Sequence, residues 1–202
     1  MSIVMSFLNY CFVSGITPGP ANICSLSTAI RKGRTVALRQ WRGLFAGYMT
    51  VSLLSALLTW LIGTAFSKYI RYFTVFGAVY ILWLAYHVLM DKPDNLNKNT
   101  EEGETRRLKE GTFLFGFILQ LTNVKIIIFC LTALTGFVLP YRTDLLSLLA
   151  VGLVLPFTGP ICNLAWLFTG AALQKFFEKN YRIVNTVMAV SLMYCAISML
   201  RI

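Results

Sequence analysis

The decisive stretch is Gly15-Ile16-Thr17-Pro18-Gly19-Pro20-Ala21-Asn22, set in the middle of an apolar run over residues 3–30. Proline has no N–H and its ring collides with the preceding turn, so a helix that reaches Thr17 must open there. Inside a bilayer no water is at hand to satisfy the freed peptide groups, and an opened helix must turn them toward protein or a cavity rather than lipid. The motif therefore marks a site as well as a bend.

Lipid is the solvent to assume. Apolar residues make up 57% of the chain, charged residues only 13%, and the mean hydropathy is +0.68. The polar interruptions fall near 31–42, 67–71, 91–110, 139–144 and 171–182. They leave six apolar spans near 3–30, 43–66, 72–90, 111–138, 145–170 and 183–200. The expected fold class is all-α integral membrane, with six transmembrane helices over a single domain, residues 1–202, and no soluble domain left over. No cleavable signal is expected, because residues 1–10 carry no Lys or Arg and the apolar run continues past any small-residue cleavage site.

Lys and Arg crowd into alternate loops. Arg31, Lys32, Arg34, Arg39 and Arg42 lie in the first, five more in the third, and Lys175, Lys179 and Arg182 in the fifth. The second and fourth loops hold only Lys68, Arg71 and Arg142. The positive-inside bias then makes the odd loops cytoplasmic and places both termini in the periplasm. The net charge of +10 reflects this orientation and contact with anionic headgroups, and nucleic acid is excluded as a partner.

Three spans per half is an odd number, so a second half built like the first enters the membrane from the other side. Residues 78–89 and 189–200 share Ala78/Ala189, Val79/Val190, Ala85/Ala196 and Leu89/Leu200 at one offset. In the first and fourth spans, Thr17-Pro18-Gly19-Pro20 stands at the same depth as Thr122-Asn123-Val124-Lys125. Each span has about 28 residues, about 42 Å as a straight helix against a hydrocarbon core of about 30 Å. The expectation is a 3+3 inverted repeat, residues 3–90 and 111–200, joined by a solvated linker over 91–110. Many secondary transporters place their site where two such interrupted helices meet. A further break, Pro156-Phe157-Thr158-Gly159-Pro160, interrupts the fifth span just before Asn163, whereas Gly43 and Gly47 in the second read as a close-packing G-x-x-x-G.

Lys125 is the sharpest polar residue, an ammonium near mid-span whose insertion costs about 2.5–3.5 kcal/mol. It is expected to hold an anionic group, helped by the N-terminal end of the half-helix after Pro20. Snorkelling, or capping of freed carbonyls, is the structural alternative. Asn22, Asn123 and Thr17 could orient a carboxylate, and a substrate ammonium would meet opened carbonyls or the faces of Trp83, Tyr80 or Trp166. No Asp or Glu lies inside a span, which counts against a metal exporter or cation channel. The five cysteines, without a C-x-x-C pair, read as packing residues, and no metal or cofactor is expected. His87 reads as an interfacial residue, and Trp41, Tyr69, Tyr72 and Tyr141 as an interfacial belt. An intramembrane enzyme would need a nucleophile–base pair that the chain does not supply.

Gly15-Ile16-Thr17-Pro18-Gly19-Pro20, Gly77-Ala78-Val79-Tyr80 and Asn123-Val124-Lys125 together resemble the LysE/RhtB family of amino-acid exporters. Within it, Asn123-Val124-Lys125-Ile126-Ile127, Leu131-Thr132-Ala133-Leu134 and Asn163-Leu164-Ala165-Trp166 are most similar to the cysteine and O-acetylserine branch. The resemblance implies export of small neutral amino acids or close derivatives across a bacterial inner membrane, driven by the proton gradient. Another amino acid (threonine, homoserine, a basic one) and a passive channel are the alternatives. The implied partners are an amino-acid substrate, membrane lipid and, as an option, further copies of the chain. The expected substrate-binding residues are Thr17, Pro18, Gly19, Pro20, Asn22, Asn123, Lys125 and Asn163. The family commonly has Asn-Pro-Lys where this chain has Asn123-Val124-Lys125, so no proline forces the fourth-span break here. An acidic residue that often follows the first-span motif is replaced by Ala21-Asn22.

Overall fold

The computed structural model describes residues 3–17, 19–65, 70–90, 110–169 and 171–200, and no strand occurs among them. The stretch expected as the first span runs as α1 (Ile3–Ile16), opens, and resumes as α2 (Pro20–Lys32), with Pro20 in the first turn, where a missing N–H costs nothing; the expected span numbers are kept below as labels. Gly33, at φ 84°, ends α2, and α3 (Arg34–Ala65) follows at once. Residues 34–42, expected as loop, are therefore the polar first turns of a long helix. Then comes α4 (Ile70–Met90).

The fourth span is α5 (Phe113–Leu121) and α6 (Val124–Thr132), which widens into a π-helix over Ala133–Val138. The two halves are bent by 57° at the break. The bend forms without proline because Thr122 closes α5 from both sides. Its N–H and its hydroxyl both reach the Ile118 carbonyl, each at 3.0 Å, and Asn123 N–H turns back to Gln120 O at 3.2 Å. The fifth span comprises α7 (Leu145–Val154), a 3₁₀ turn over Leu155–Phe157, and α8 (Gly159–Thr169). Last is α9 (Ala171–Leu200), kinked at Asn180 and helical through most of the expected fifth loop.

Among the described residues, Arg34–Gly63, Leu145–Thr169 and Lys179–Ser198 are long and apolar enough to cross a membrane, and the bent pair α5–α6 makes a fourth. Ile3–Ile16 and Thr74–Met90 are apolar but shorter. The polarity runs inside out relative to a soluble bundle. Leu146 is 79% exposed and Phe76 71%, while Ser6, Ser25, Thr28, Gln40, Ser52 and Thr59 are fully buried. Such a surface suits lipid, with small and polar residues facing neighbouring helices. Ser52 donates to Gly152 O at 2.7 Å between α3 and α7, and Ser6 to Ser198 at 2.9 Å between α1 and α9.

The tightest contact is between α3 and α5. A Cβ on Gly43 would stand 1.9 Å from Phe113 O, one on Gly47 2.7 Å from Phe117 O, and one on Gly116 2.2 Å from Gln40 O. Gly43 and Gly47 thus let the two backbones touch, as their spacing suggests. On the other side α4 packs along α9, where Ala78, Ala85, Ala189 and Ala196 are all buried. Tyr10 stacks between Phe129 and Phe137, at centroid distances of 5.1 and 5.6 Å, and ties α1 to α6 and the π-turn.

Candidate functional site

The breaks in the first, fourth and fifth spans face one cavity of about 40 Å³. From α1 and α2 it is lined by Ser14, Gly15, Gly19, Ala21 and Asn22; from α5 and α6 by Gln120, Asn123, Lys125 and Ile126. Leu44 and Tyr48 of α3 and Gly159, Pro160 and Asn163 of α8 complete it. No acidic residue is among them.

The first break is held by side chains. Asn22 Nδ2 donates to Gly15 O and to Thr17 O, both at 3.0 Å, and Trp166 Nε1 donates to Ile16 O at 3.1 Å. Three consecutive carbonyls left without helical partners are thereby engaged. Asn22 is itself positioned by Asn163, whose Nδ2 donates to Asn22 Oδ1 at 2.9 Å. Asn163 Oδ1 in turn accepts from Ser25 at 2.8 Å. Every member of this buried chain has a partner, which fixes its geometry.

Lys125 reaches across from α6, and its Nζ donates to Thr17 O at 3.1 Å. Its stem passes Gly19 so closely that a Cβ there would lie 3.3 Å from both Cδ and Nζ. An ammonium has three donors, and this bond uses one. Two helices begin at the same cavity, α2 at Gly19 and α6 at Asn123, and neither is capped by a side chain: Gly19 has none, and that of Asn123 accepts no N–H of its helix. Their unpaired N–H groups carry partial positive charge, which adds to the lysine. With no carboxylate among the described lining residues, the site is electropositive and suited to a small anion.

Of the residues expected here, Gly19, Asn22, Asn123, Lys125 and Asn163 line the cavity together. Thr17 takes part through its carbonyl, since its hydroxyl bonds Val13 O and Met188 Sδ. The Pro20 ring is exposed and outside the lining, and Pro18 lies outside the described residues. Trp166 is fully buried as a clamp on α1, while Trp83 is 52% exposed on the outer surface against Tyr80 and His87. Neither offers its face to the cavity. Trp41, expected in the interfacial belt, donates Nε1 to Pro160 O at 2.9 Å and so clamps the fifth-span break.

Three polar lining residues escaped the sequence reading, as did the apolar Leu44. Ser14 adjoins the first-span motif and Tyr48 follows Gly47, but neither residue type by itself points to a site within an apolar run. Gln120 offered a clue, being the only strongly polar side chain in Phe113–Leu121 and standing just before Thr122-Asn123.

The LysE type translocator model matches residues 12–201, almost the whole chain and all three breaks. The chain belongs to the LysE family. Relatives within the family include the cysteine/O-acetylserine efflux proteins of Klebsiella pneumoniae, 33% identical over 97% of this chain and 96% of the relative, and of Salmonella typhimurium, 32% identical over 96% of each. That of Escherichia coli is 32% identical over 97% of this chain and 96% of its own length. No solved structure matches this LysE-family chain.

Proposed function

We propose that this protein is a secondary transporter that exports small neutral amino acids or close derivatives, such as cysteine and O-acetylserine, across the bacterial inner membrane. The observation that carries the reading is the meeting of two uncapped half-helix N-termini and Lys125 at one cavity with no carboxylate among its described lining residues. A zwitterion's carboxylate is the group such a site holds best, and Lys125, Asn123 and Gly19 are its binding residues, with Asn22, Asn163 and Thr17 O as their support. The efflux relatives supply the substrate class.

The domain is read as a single inverted 3+3 repeat, residues 3–90 and 111–200, with both termini periplasmic. Packing supports it. The broken first span lies against the fifth as the second lies against the fourth, while α4 pairs with α9 across what would be the two-fold axis. The alanines matched between residues 78–89 and 189–200 are the buried ones in both helices. The cavity is small beside the ~150 Å³ that holds a benzene-sized ligand, so admission of an amino acid requires the lining helices to part. Rocking of one half on the other would do this while exposing the site to alternate sides. Coupling to protons is part of the proposal.

Counterflow in reconstituted vesicles tests it. Unlabelled internal cysteine or O-acetylserine is expected to accelerate uptake of the labelled compound, and collapse of the pH gradient and potential to abolish net accumulation. Uptake indifferent to internal substrate would make the protein a pore, and uptake indifferent to the gradients would remove proton coupling.

A further inference from the structure

A zwitterion held by its carboxylate brings an ammonium into the same small space, and the carbonyls opened by the first break are already engaged. Gly15 O and Thr17 O accept from Asn22, Thr17 O also from Lys125, and Ile16 O from Trp166. Asn22 Oδ1 and Asn163 Oδ1 are engaged as well. Two polar atoms of the lining stand apart. Ser14 Oγ and Gln120 Oε1 are buried without a hydrogen-bond partner, on residues only 6% and 2% exposed. Buried polar groups are almost always paired, and an orphan beside a cavity points to a partner that arrives later.

Gln120 is built into its place. It is the penultimate residue of α5, its carbonyl is capped by Asn123 N–H, and its Cβ lies 2.8 Å from where Gly47 would carry one. Only a residue without a side chain at position 47 leaves room for it.

We infer that Gln120 Oε1 and Ser14 Oγ accept the α-ammonium of the exported amino acid, so that these two residues set selectivity for α-amino acids over the same acids without the amine. The assignment rests on the exporter reading above. An amide and a hydroxyl suit this task better than a carboxylate, because an Asp or Glu here would pair with Lys125 and compete with the substrate. Ammonium recognition is then neutral, and the positive charge of the site stays free for the substrate's acid group.

The test compares cysteine with 3-mercaptopropionate, the same thiol acid lacking the amine, as reduced cargo in loaded vesicles at pH 7. Wild type should release cysteine in strong preference. Gln120→Leu and Ser14→Ala should each lower kcat/KM for cysteine about tenfold and leave 3-mercaptopropionate within about twofold, while Lys125→Met should lose both. Preference unchanged in both variants, or equal loss of the two compounds in Ser14→Ala, overturns the assignment. Ser14→Ala removes only one oxygen, so it carries the test if Gln120→Leu fails to insert. Wild-type vesicles that release neither compound overturn the exporter reading itself, a failure distinguishable because it precedes any variant.

Discussion

The two helix breaks that face each other across the cavity are built in opposite ways. The first carries prolines, and its freed carbonyls are clamped by Asn22, Trp166 and Lys125. The fourth has no proline, closes on its own backbone through Thr122 and Asn123, and leaves Gln120 Oε1 without a partner and two Lys125 donors unspent. Apart from Ser14 Oγ, one break is a finished scaffold and the other a set of unfinished contacts. A transport site needs both, since a fixed frame positions groups whose hydrogen bonds are completed only by substrate.

The largest effect should come from separating the fourth break from its support. Gly43→Ala drives a methyl into Phe113 O and forces α3 and α5 apart. Overpacking of this kind costs about 1–3 kcal/mol or more, and the detergent-solubilised variant should melt well below wild type by a fluorescence-detected thermal assay. An unchanged melting temperature would mean that the α3–α5 contact is looser than described.

The comparison itself is sharpened by the pair Asn22→Ala and Asn123→Ala. Asn22 closes two carbonyls, of which Thr17 O keeps its bond from Lys125, so its loss should destabilise the protein by roughly 1–3 kcal/mol. Asn123 makes no cap bond, so its loss should raise the KM for efflux and leave the melting temperature near wild type. Equal melting losses in the two variants would erase the distinction between frame and working face.

Val124→Pro restores the proline usual in the family and should change little, within about 1 kcal/mol. Val124 is the first residue of α6, where proline is tolerated, and Asn123 already has the extended backbone that a following proline demands. Loss of insertion or efflux would show that the break differs from the one drawn.

The smallest effect lies away from both breaks. Asp144 caps α7 by accepting from Ser147 N–H at 2.9 Å, and the Ser147 bonds hold its carboxyl below the ordinary aspartate value. A carboxylate depressed in the folded state stabilises above its unfolded pKa, near 3.9, and that stability is lost as pH falls through the folded value. The difference in melting temperature between wild type and Asp144→Ala should thus be constant from pH 5 to 8 and shrink only below about pH 4. Asp144 is fully exposed, so the effect is slight throughout.

The frame was more legible in the sequence than the working face. Pro18 and Pro20 announce a break by covalent geometry, and Lys125 and Asn22 stand out because polar groups in lipid need a reason. Gln120, Ser14 and Tyr48 were harder to read, because apart from Gln120 itself a run such as Phe113–Leu121 is apolar on every side and its periodicity does not say which face meets the cavity. The clamping by Trp41 was hidden similarly, since an indole near a span end suits the membrane interface equally well, and that by Trp166 because its indole read as a face for a substrate ammonium. Helix ends were misplaced at 31–42 and 171–182, where polar residues continue a helix beyond the hydrocarbon instead of ending it.

The central claim is that Lys125, set between two half-helix N-termini, holds the substrate's carboxylate. Titration of purified protein with cysteine by calorimetry, in wild type and in Lys125→Met, tests it most directly. The variant should fold and melt near wild type yet bind at least about thirtyfold more weakly, as expected when a charged contact worth at least about 2 kcal/mol is lost. Equal affinity in the two proteins would contradict the claim and leave Lys125 as no more than a clasp on Thr17.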